Sequence, residues 1–150
     1  MGFRPALPVD LPAVLDVERA AFASASQWGK DSWAGELGGA DRLVLVHTDD
    51  HGDLDAAATF QVIADTADLH RVLVHPVARR RGLASVLVAE GLAWATAHGA
   101  QRMLLEVETD NLAALALYQG LGFAAIASRR DYYGPGRDAV VMERNLEGVA

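Results

Sequence analysis

The chain contains no cysteine. Disulfides, thiolate nucleophiles and cysteine-ligated metals are therefore excluded. Its five histidines show neither an HExxH motif nor a paired spacing, so no metal site is expected. No run approaches the ~18 apolar residues that a membrane span requires. The opening residues Met1-Gly2-Phe3-Arg4-Pro5 lack the apolar stretch of a signal peptide, and a soluble, cytoplasmic protein is expected. Repeats, low-complexity tracts and long linkers are also missing.

What remains is a chain of 150 residues, 51% of them hydrophobic. That length suits one domain, residues 1–150, with a full apolar core, and the composition argues against disorder. The formal net charge is −7, which disfavours uniform nucleic-acid binding. Against this acidic background the positive charge is clustered. Arg79, Arg80 and Arg81 are consecutive, and Arg129 and Arg130 are adjacent. Such a cluster is either a solvated turn or a seat for a small polyanion. The acidic remainder favours a cationic second substrate.

Periodicity places the elements. Residues 2–5 read as a strand, and Val9 to Phe22 as a helix with Asp10 as its cap and Pro12 in the first turn. Lys30 to Leu37 is a second helix, ended by Gly38-Gly39. Strands follow at Arg42 to His47, Ala56 to Ala64 and Asp68 to Val74, after which Pro76 breaks the chain. Leu83 to His98 is a long helix with Leu83, Val86, Leu87 and Trp94 on one face and Gly99 at its C-terminal cap. Then come a strand at Arg102 to Glu108, a helix at Asn111 to Gln119, and strands at Phe123 to Ser128 and Ala139 to Arg144. The mixture of strand runs and helices predicts an α+β or α/β protein with one mixed sheet.

The strand, short turn and helix N-terminus around Arg79-Arg80-Arg81-Gly82-Leu83-Ala84 form a physical recipe for anion binding. The first backbone N–H groups of a helix have no intrahelical partner, and the helix dipole adds roughly half a positive charge. A phosphate satisfies both. Gly82 lets the backbone approach it, and the arginines add charge-assisted bonds. No Gly-Lys-Ser/Thr follows, so this is not a Walker loop; nor is there a three-glycine dinucleotide fingerprint.

Arg79-x-x-Gly82-x-Ala84 resembles the Q/R-x-x-G-x-G/A signature of the GCN5-related N-acetyltransferases (GNAT). Leu105-Glu106-Val107, Asn111, Ala116-Leu117-Tyr118 and Leu121-Gly122-Phe123 follow in that family's order. Arg129-Arg130-Asp131-Tyr132-Tyr133 and Asp138-Ala139-Val140-Val141-Met142 are similar to its ribosomal-protein-alanine subgroup, the RimI type. Trp28 and Trp33 match that subgroup's spacing. Gly29 and Arg71 depart from it, where serine and asparagine are usual. Both departures bear on the acceptor rather than on the cofactor.

The resemblance implies the GNAT acyltransferase fold, a three-layer domain with a mixed sheet of about seven strands flanked by helices. It implies acetyl-CoA as co-substrate, no metal, and transfer of acetyl to an amine. The expected acceptor is the N-terminal α-amine of a ribosomal protein starting with alanine. A lysine or small-molecule amine, or a non-catalytic acetyl-CoA-binding module, are the alternatives. Neither nucleic acid nor membrane is expected as a partner, and the protein is expected to be a monomer or weak dimer. A β-bulge in the strand before the arginine turn is implied as well. Carried over by position, the backbone of Val72, Leu73 and Val74 meets the acetyl and pantetheine groups, with an N–H of Leu73 or Val74 as oxyanion donor. Arg79, Arg80, Arg81, Gly82, Leu83, Ala84 and Ser85 hold the pyrophosphate, and Asn111 touches the cofactor. Glu106 is the general base and Tyr118 the general acid. Trp28, Tyr132 and Tyr133 line the acceptor side, the tyrosines in a loop.

On the residues alone, other readings stay open. Leu104, Glu106 and Glu108 share one strand face, so Glu106 also fits a solvent-facing position, and Glu108 competes for the base role. Tyr118 also fits a core stripe with Leu112 and Leu115, and Asn111 a helix cap. Trp94 reads as core. Trp28 and Trp33 fit either core packing or the peptide entrance.

Overall fold

The computed structural model describes residues 2–147. Seven strands form one sheet in the order β1-β2-β3-β4-β5-β7-β6. They are β1 (Gly2–Pro5), β2 (Arg42–Thr48), β3 (Leu54–Ile63), β4 (Thr66–Val74), β5 (Arg102–Glu108), β6 (Ala124–Gly134) and β7 (Arg137–Asn145). Neighbours are antiparallel except β4 and β5, which are parallel. The helices are α1 (Leu11–Ala21), α2 (Lys30–Gly38), α3 (Leu83–Ala97) and α4 (Leu112–Gly120).

Two apolar clusters cover the two faces of the sheet. On one side α1 and α2 bring Val14, Val17 and Trp33 against Val44, Val46 and Leu73. On the other, α3 lays Leu87, Val88 and Ala95 on Phe60, Leu69 and Met103. Strand alternation sorts side chains between these layers. In β5, Met103, Leu105 and Val107 are buried towards α3, which turns Leu104, Glu106 and Glu108 to the opposite face.

Several local expectations are corrected. Val86 is exposed, and Val88 takes its place in the buried face of α3. Asp10 does not cap α1 with its side chain. Its carboxylate accepts instead from the Leu7 N–H at 2.7 Å and from Arg4 at 2.8 and 2.9 Å. Arg129 to Tyr133 is strand rather than loop: β6 runs on to Gly134 and pairs with β7, with a register break between Arg129 and Gly134 where Asp131 adopts φ 54°. Trp33 is fully buried, whereas Trp94 is only half-buried against the core.

Candidate active site

Strands β4 and β5 pair only at Thr66–Asp68 with Arg102–Leu104. Beyond Asp68 they part, and the β5-facing edge of β4 has no strand partner. The opening continues into a cleft of about 1260 Å³. Asp68, His70, Arg71 and Val72 of β4 form one wall, and Glu106 and Glu108 of β5 the other. Asn111 and Tyr118 enter from α4, Phe22 and Trp28 from the segment between α1 and α2, and Tyr132 and Tyr133 from β6.

A bulge in β4 sets this wall. Thr59 pairs with Arg71 but Phe60 with Leu69, which leaves His70 as the extra residue. A bulge inverts the alternation beyond it. Before it Ala67 and Leu69 face α3; after it Val72 and Val74 do, while Leu73 joins the α1–α2 cluster. His70 and Arg71 consequently both point to the α1–α2 side, His70 to Glu36 of α2 and Arg71 to Glu18 of α1. The side chains of Leu73 and Val74 are committed to the core, so only their backbone is free to meet a ligand.

Of the two candidate bases, Glu108 is the more committed. Arg137 holds it bidentately, at 2.9 and 2.8 Å, and this hydrogen bonding keeps its carboxyl below the ordinary range. Glu106 takes one bond from Arg129, at 3.1 Å. The Arg129 guanidinium also lies 4.2 Å from the Tyr132 ring centroid. Tyr132 is raised above the usual phenol value by hydrogen bonding to the Glu106 carboxylate and then by burial. Tyr133 packs edge-on against Tyr132 and is pushed up to about 12, first by burial and then by the Glu106 charge.

Tyr118 stands edge-on to Phe123 at 5.9 Å, and burial pushes its phenol up to about 12. A phenol held there stays protonated at neutral pH and is a donor. Asn111 is an N-cap: its Oδ1 accepts from the Ala114 N–H at 3.2 Å. That leaves its amide NH₂ unused among the described residues. Trp28 packs on Trp33 at 5.3 Å, with Trp28 on the cleft and Trp33 in the core.

Arg79 to Ser85 do not line the cleft. Arg79 to Gly82 form a separate exposed turn, with Arg80 at φ 66° and Gly82 at φ 74°, and the half-buried Leu83, Ala84 and Ser85 begin α3. No side chain caps α3. Its first N–H groups are open, which fits a pyrophosphate. The arginines differ. Arg79 turns back and donates to the Ala21 carbonyl at 3.2 Å, whereas Arg80 and Arg81 make no protein bond among the described residues. No group of three or more His, Asp and Glu side chains there is placed to hold a metal ion.

Four features of the cleft are not anticipated by sequence reasoning. They are the Arg71–Glu18 and His70–Glu36 pairs, the clamp of Arg137 on Glu108, and Asp68, whose carboxyl is raised by burial and by the Glu106 charge, against opposing His70 and Arg102. Only Arg71 carries a signal, as a departure from the subgroup's asparagine.

The family model for the acetyltransferase (GNAT) family matches residues 12–123. The chain belongs to the GNAT acetyltransferase family. It is an acetyl-transferring enzyme, 35% identical over 136 residues to the ribosomal protein bS18-alanine N-acetyltransferase of Escherichia coli strain K12, a match covering 89% of each. The crystal structure of the ribosomal-protein-S18-alanine N-acetyltransferase from Escherichia coli superposes with a TM-score of 0.89 at 30% identity, covering 99% of this chain and 95% of that one. A PaiA N-acetyltransferase from Thermoplasma acidophilum, solved with coenzyme A, shares the fold at 20% identity, with a TM-score of 0.80 and 96% and 98% coverage. The seven-stranded sheet and four helices of this GNAT enzyme agree with the fold class expected from its sequence.

Proposed function

We propose that this enzyme moves the acetyl group of acetyl-CoA to the N-terminal α-amine of a protein, with a ribosomal protein starting in alanine as acceptor. The observation that carries the reading is the meeting of Glu106 and Tyr118 on one cleft, at the mouth of the gap between β4 and β5. The identity to the Escherichia coli enzyme that acts on the alanine of bS18 supports the choice of acceptor.

Acetyl-CoA supplies a thioester carbonyl as the electrophile. The open N–H groups of Gly82 to Ser85, with Arg80 and Arg81, suit its pyrophosphate, and Arg79 braces the turn against α1. The backbone of Val72, Leu73 and Val74 suits the acetyl and pantetheine end, and the Asn111 amide reaches in from α4. An N–H of Leu73 or Val74 is the candidate to steady negative charge on the carbonyl oxygen. A peptide α-amine has an ordinary pKa of about 7.7–8.0, so part of it is neutral near pH 7. Glu106 takes a proton from the attacking nitrogen, directly or through one water. Tyr118 gives its proton to the leaving thiolate. Trp28, Tyr132 and Tyr133 shape the path of the acceptor's first residues.

The test is an acetylation assay on a peptide array that varies the first three residues, with α-blocked lysine peptides alongside. Transfer to free Ala-starting N-termini is expected. Transfer confined to lysine side chains or small amines overturns the acceptor assignment.

A further inference from the structure

An acceptor that arrives as an ammonium must lose two protons from nitrogen. One leaves before attack, to expose the lone pair, and one when the amide forms. Tyr118 gives one proton to the thiolate and is restored through solvent by the proton taken up at Glu106, so one is released overall. A single carboxylate is a poor match for the first of these. Ordinary carboxylates lie at about 4.3, some three units below an α-amine, and imidazole at about 6.5 is closer.

His70 has the geometry for that step. It is the bulged residue of β4, it lines the same cleft as Glu106 and Asp68, and its side chain is 27% exposed. Its Nδ1 lies 2.7 Å from Oε1 of Glu36. Glu36 is buried, and it also takes Thr59 Oγ1 at 2.7 Å and the Arg42 guanidinium. An ionised carboxylate only accepts, so Nδ1 carries the hydrogen and the lone pair of the neutral ring sits on Nε2. Among the described residues Nε2 has no hydrogen-bond partner, yet it is not among the buried unsatisfied atoms. The free nitrogen therefore meets solvent in the cleft.

We propose that His70, oriented by Glu36, takes the first proton from the acceptor ammonium, and that Glu106 takes the second. The proposal rests on the α-amine reading and divides its proton traffic. The ammonium N–H bond breaks as the Nε2–H bond forms, and the electron pair stays on the amine. The resulting imidazolium is held by the Glu36 carboxylate and gives its proton to water after turnover. Burial opposes the Glu36 charge, but bonds from His70 and Thr59 and the Arg42 charge keep the carboxyl below its ordinary range. Glu36 thus stays anionic rather than drawing the proton on. The other charges around His70 are Asp68 and Arg71 on β4, Glu106 on β5, Glu18 on α1 behind Arg71, and Arg129 on β6 behind Glu106.

The experiment measures kcat/KM for an Ala-starting peptide across the pH range in wild type, His70→Gln, His70→Phe and Glu106→Gln. The His70 variants are expected to lose about tenfold near pH 6.5 and to approach wild type near pH 9, where the amine is already neutral. A merely structural role lowers activity equally at every pH; that result, or no loss at all, overturns the proposal. Should the variants not fold, the wild-type profile decides. Its acid limb should lie below the pKa of the free peptide's amine, and a limb coincident with that pKa overturns the assignment. Glu106→Gln is expected to lose activity at every pH; if it keeps wild-type rates, the base assignment of Glu106 falls while the His70 comparison still stands or falls alone. If the enzyme acetylates only lysine side chains, the α-amine reading falls and the same pH comparison with the lysine peptide judges His70.

Discussion

Arg71 closes a bidentate ion pair on Glu18, a carboxylate with no exposed surface. The same guanidinium donates to the Ser26 carbonyl at 2.7 Å and lies over the Phe22 ring at 3.8 Å. Glu18 also accepts from the Trp33 indole at 2.9 Å and from the Trp28 backbone N–H at 3.2 Å. One buried pair thus ties β4, α1 and the cleft segment 22–28 together. Removing one partner of a buried pair strands the other. Glu18→Ala is expected to destabilise by about 3–5 kcal/mol in urea unfolding. Glu18→Leu with Arg71→Met should destabilise less than the sum of the two single changes, because no charge is left unpaired. Strict additivity would show that the pair is not coupled.

Helix α3 approaches β3 closely at Gly91. A Cβ there would stand 2.2 Å from the Phe60 ring. Alanine in a helix interior is ordinarily better than glycine by about 1 kcal/mol. Here the overlap wins, since the ring is fully buried and cannot step aside. Gly91→Ala is expected to lower stability by about 1–3 kcal/mol, read as a lower melting temperature. Gly91→Ala with Phe60→Leu should recover part of it.

Local chemistry makes α3 and its turn legible in the sequence. Gly82 and Gly99 punctuate the helix, and apolar spacing identifies it. The hairpin of β6 and β7 is not legible over Arg129 to Tyr133. An edge strand exposed on both faces carries no apolar alternation, and Asp131 at φ 54° breaks what pattern remains. The pairs Arg71–Glu18 and His70–Glu36 are illegible for another reason. They join residues 53 and 34 positions apart, and both depend on a bulge that sends two successive side chains to one face. Glu106 and Glu108 are adjacent on their strand face, and sequence offers no way to see that Arg137 holds one more firmly than the other.

Acid should weaken the fold through these same carboxylates. Glu36, Asp10 and Glu108 all sit below their ordinary values, with Arg4 hydrogen bonding as the main cause at Asp10 and Arg137 at Glu108. A carboxyl whose folded pKa lies below its unfolded one stabilises the fold above the unfolded value, and that stability is lost as pH falls through the folded value. Asp68, raised by burial, works the other way: its contribution is full below the unfolded pKa and is lost as pH rises through the folded one. Melting temperatures should therefore hold near neutrality and fall below about pH 4.5, the ordinary glutamate range. Glu36→Gln should flatten that fall. An unchanged slope in the variant would remove Glu36 from the account.

The three arginines of the turn should not contribute equally to acetyl-CoA affinity. Arg80 and Arg81 are exposed and uncommitted, whereas Arg79 is spent on the Ala21 carbonyl. Arg80→Ala and Arg81→Ala are each expected to raise the KM for acetyl-CoA about tenfold, the scale of one charge-assisted bond. The effect should shrink with added salt. Arg79→Ala should do less to that KM and more to the melting temperature. Equal effects from all three would indicate a diffuse field rather than a built seat.

Tyr118 gives the sharpest separation of chemistry from binding. Its phenol is pushed up to about 12 by burial, against the opposing charge of Arg71. It therefore remains a proton donor at every pH at which the enzyme is assayed. Tyr118→Phe keeps the ring against Phe123 and removes only the hydroxyl. The variant is expected to lose about a hundredfold in kcat, within the usual range for a general acid, with the KM for acetyl-CoA and the melting temperature little changed. An acetyl-donor thioester with a better leaving thiolate should recover part of the loss, because a weaker base needs the proton less. A Tyr118→Phe enzyme with wild-type kcat on acetyl-CoA would mean that the thiolate leaves unassisted and that the phenol serves only to pack.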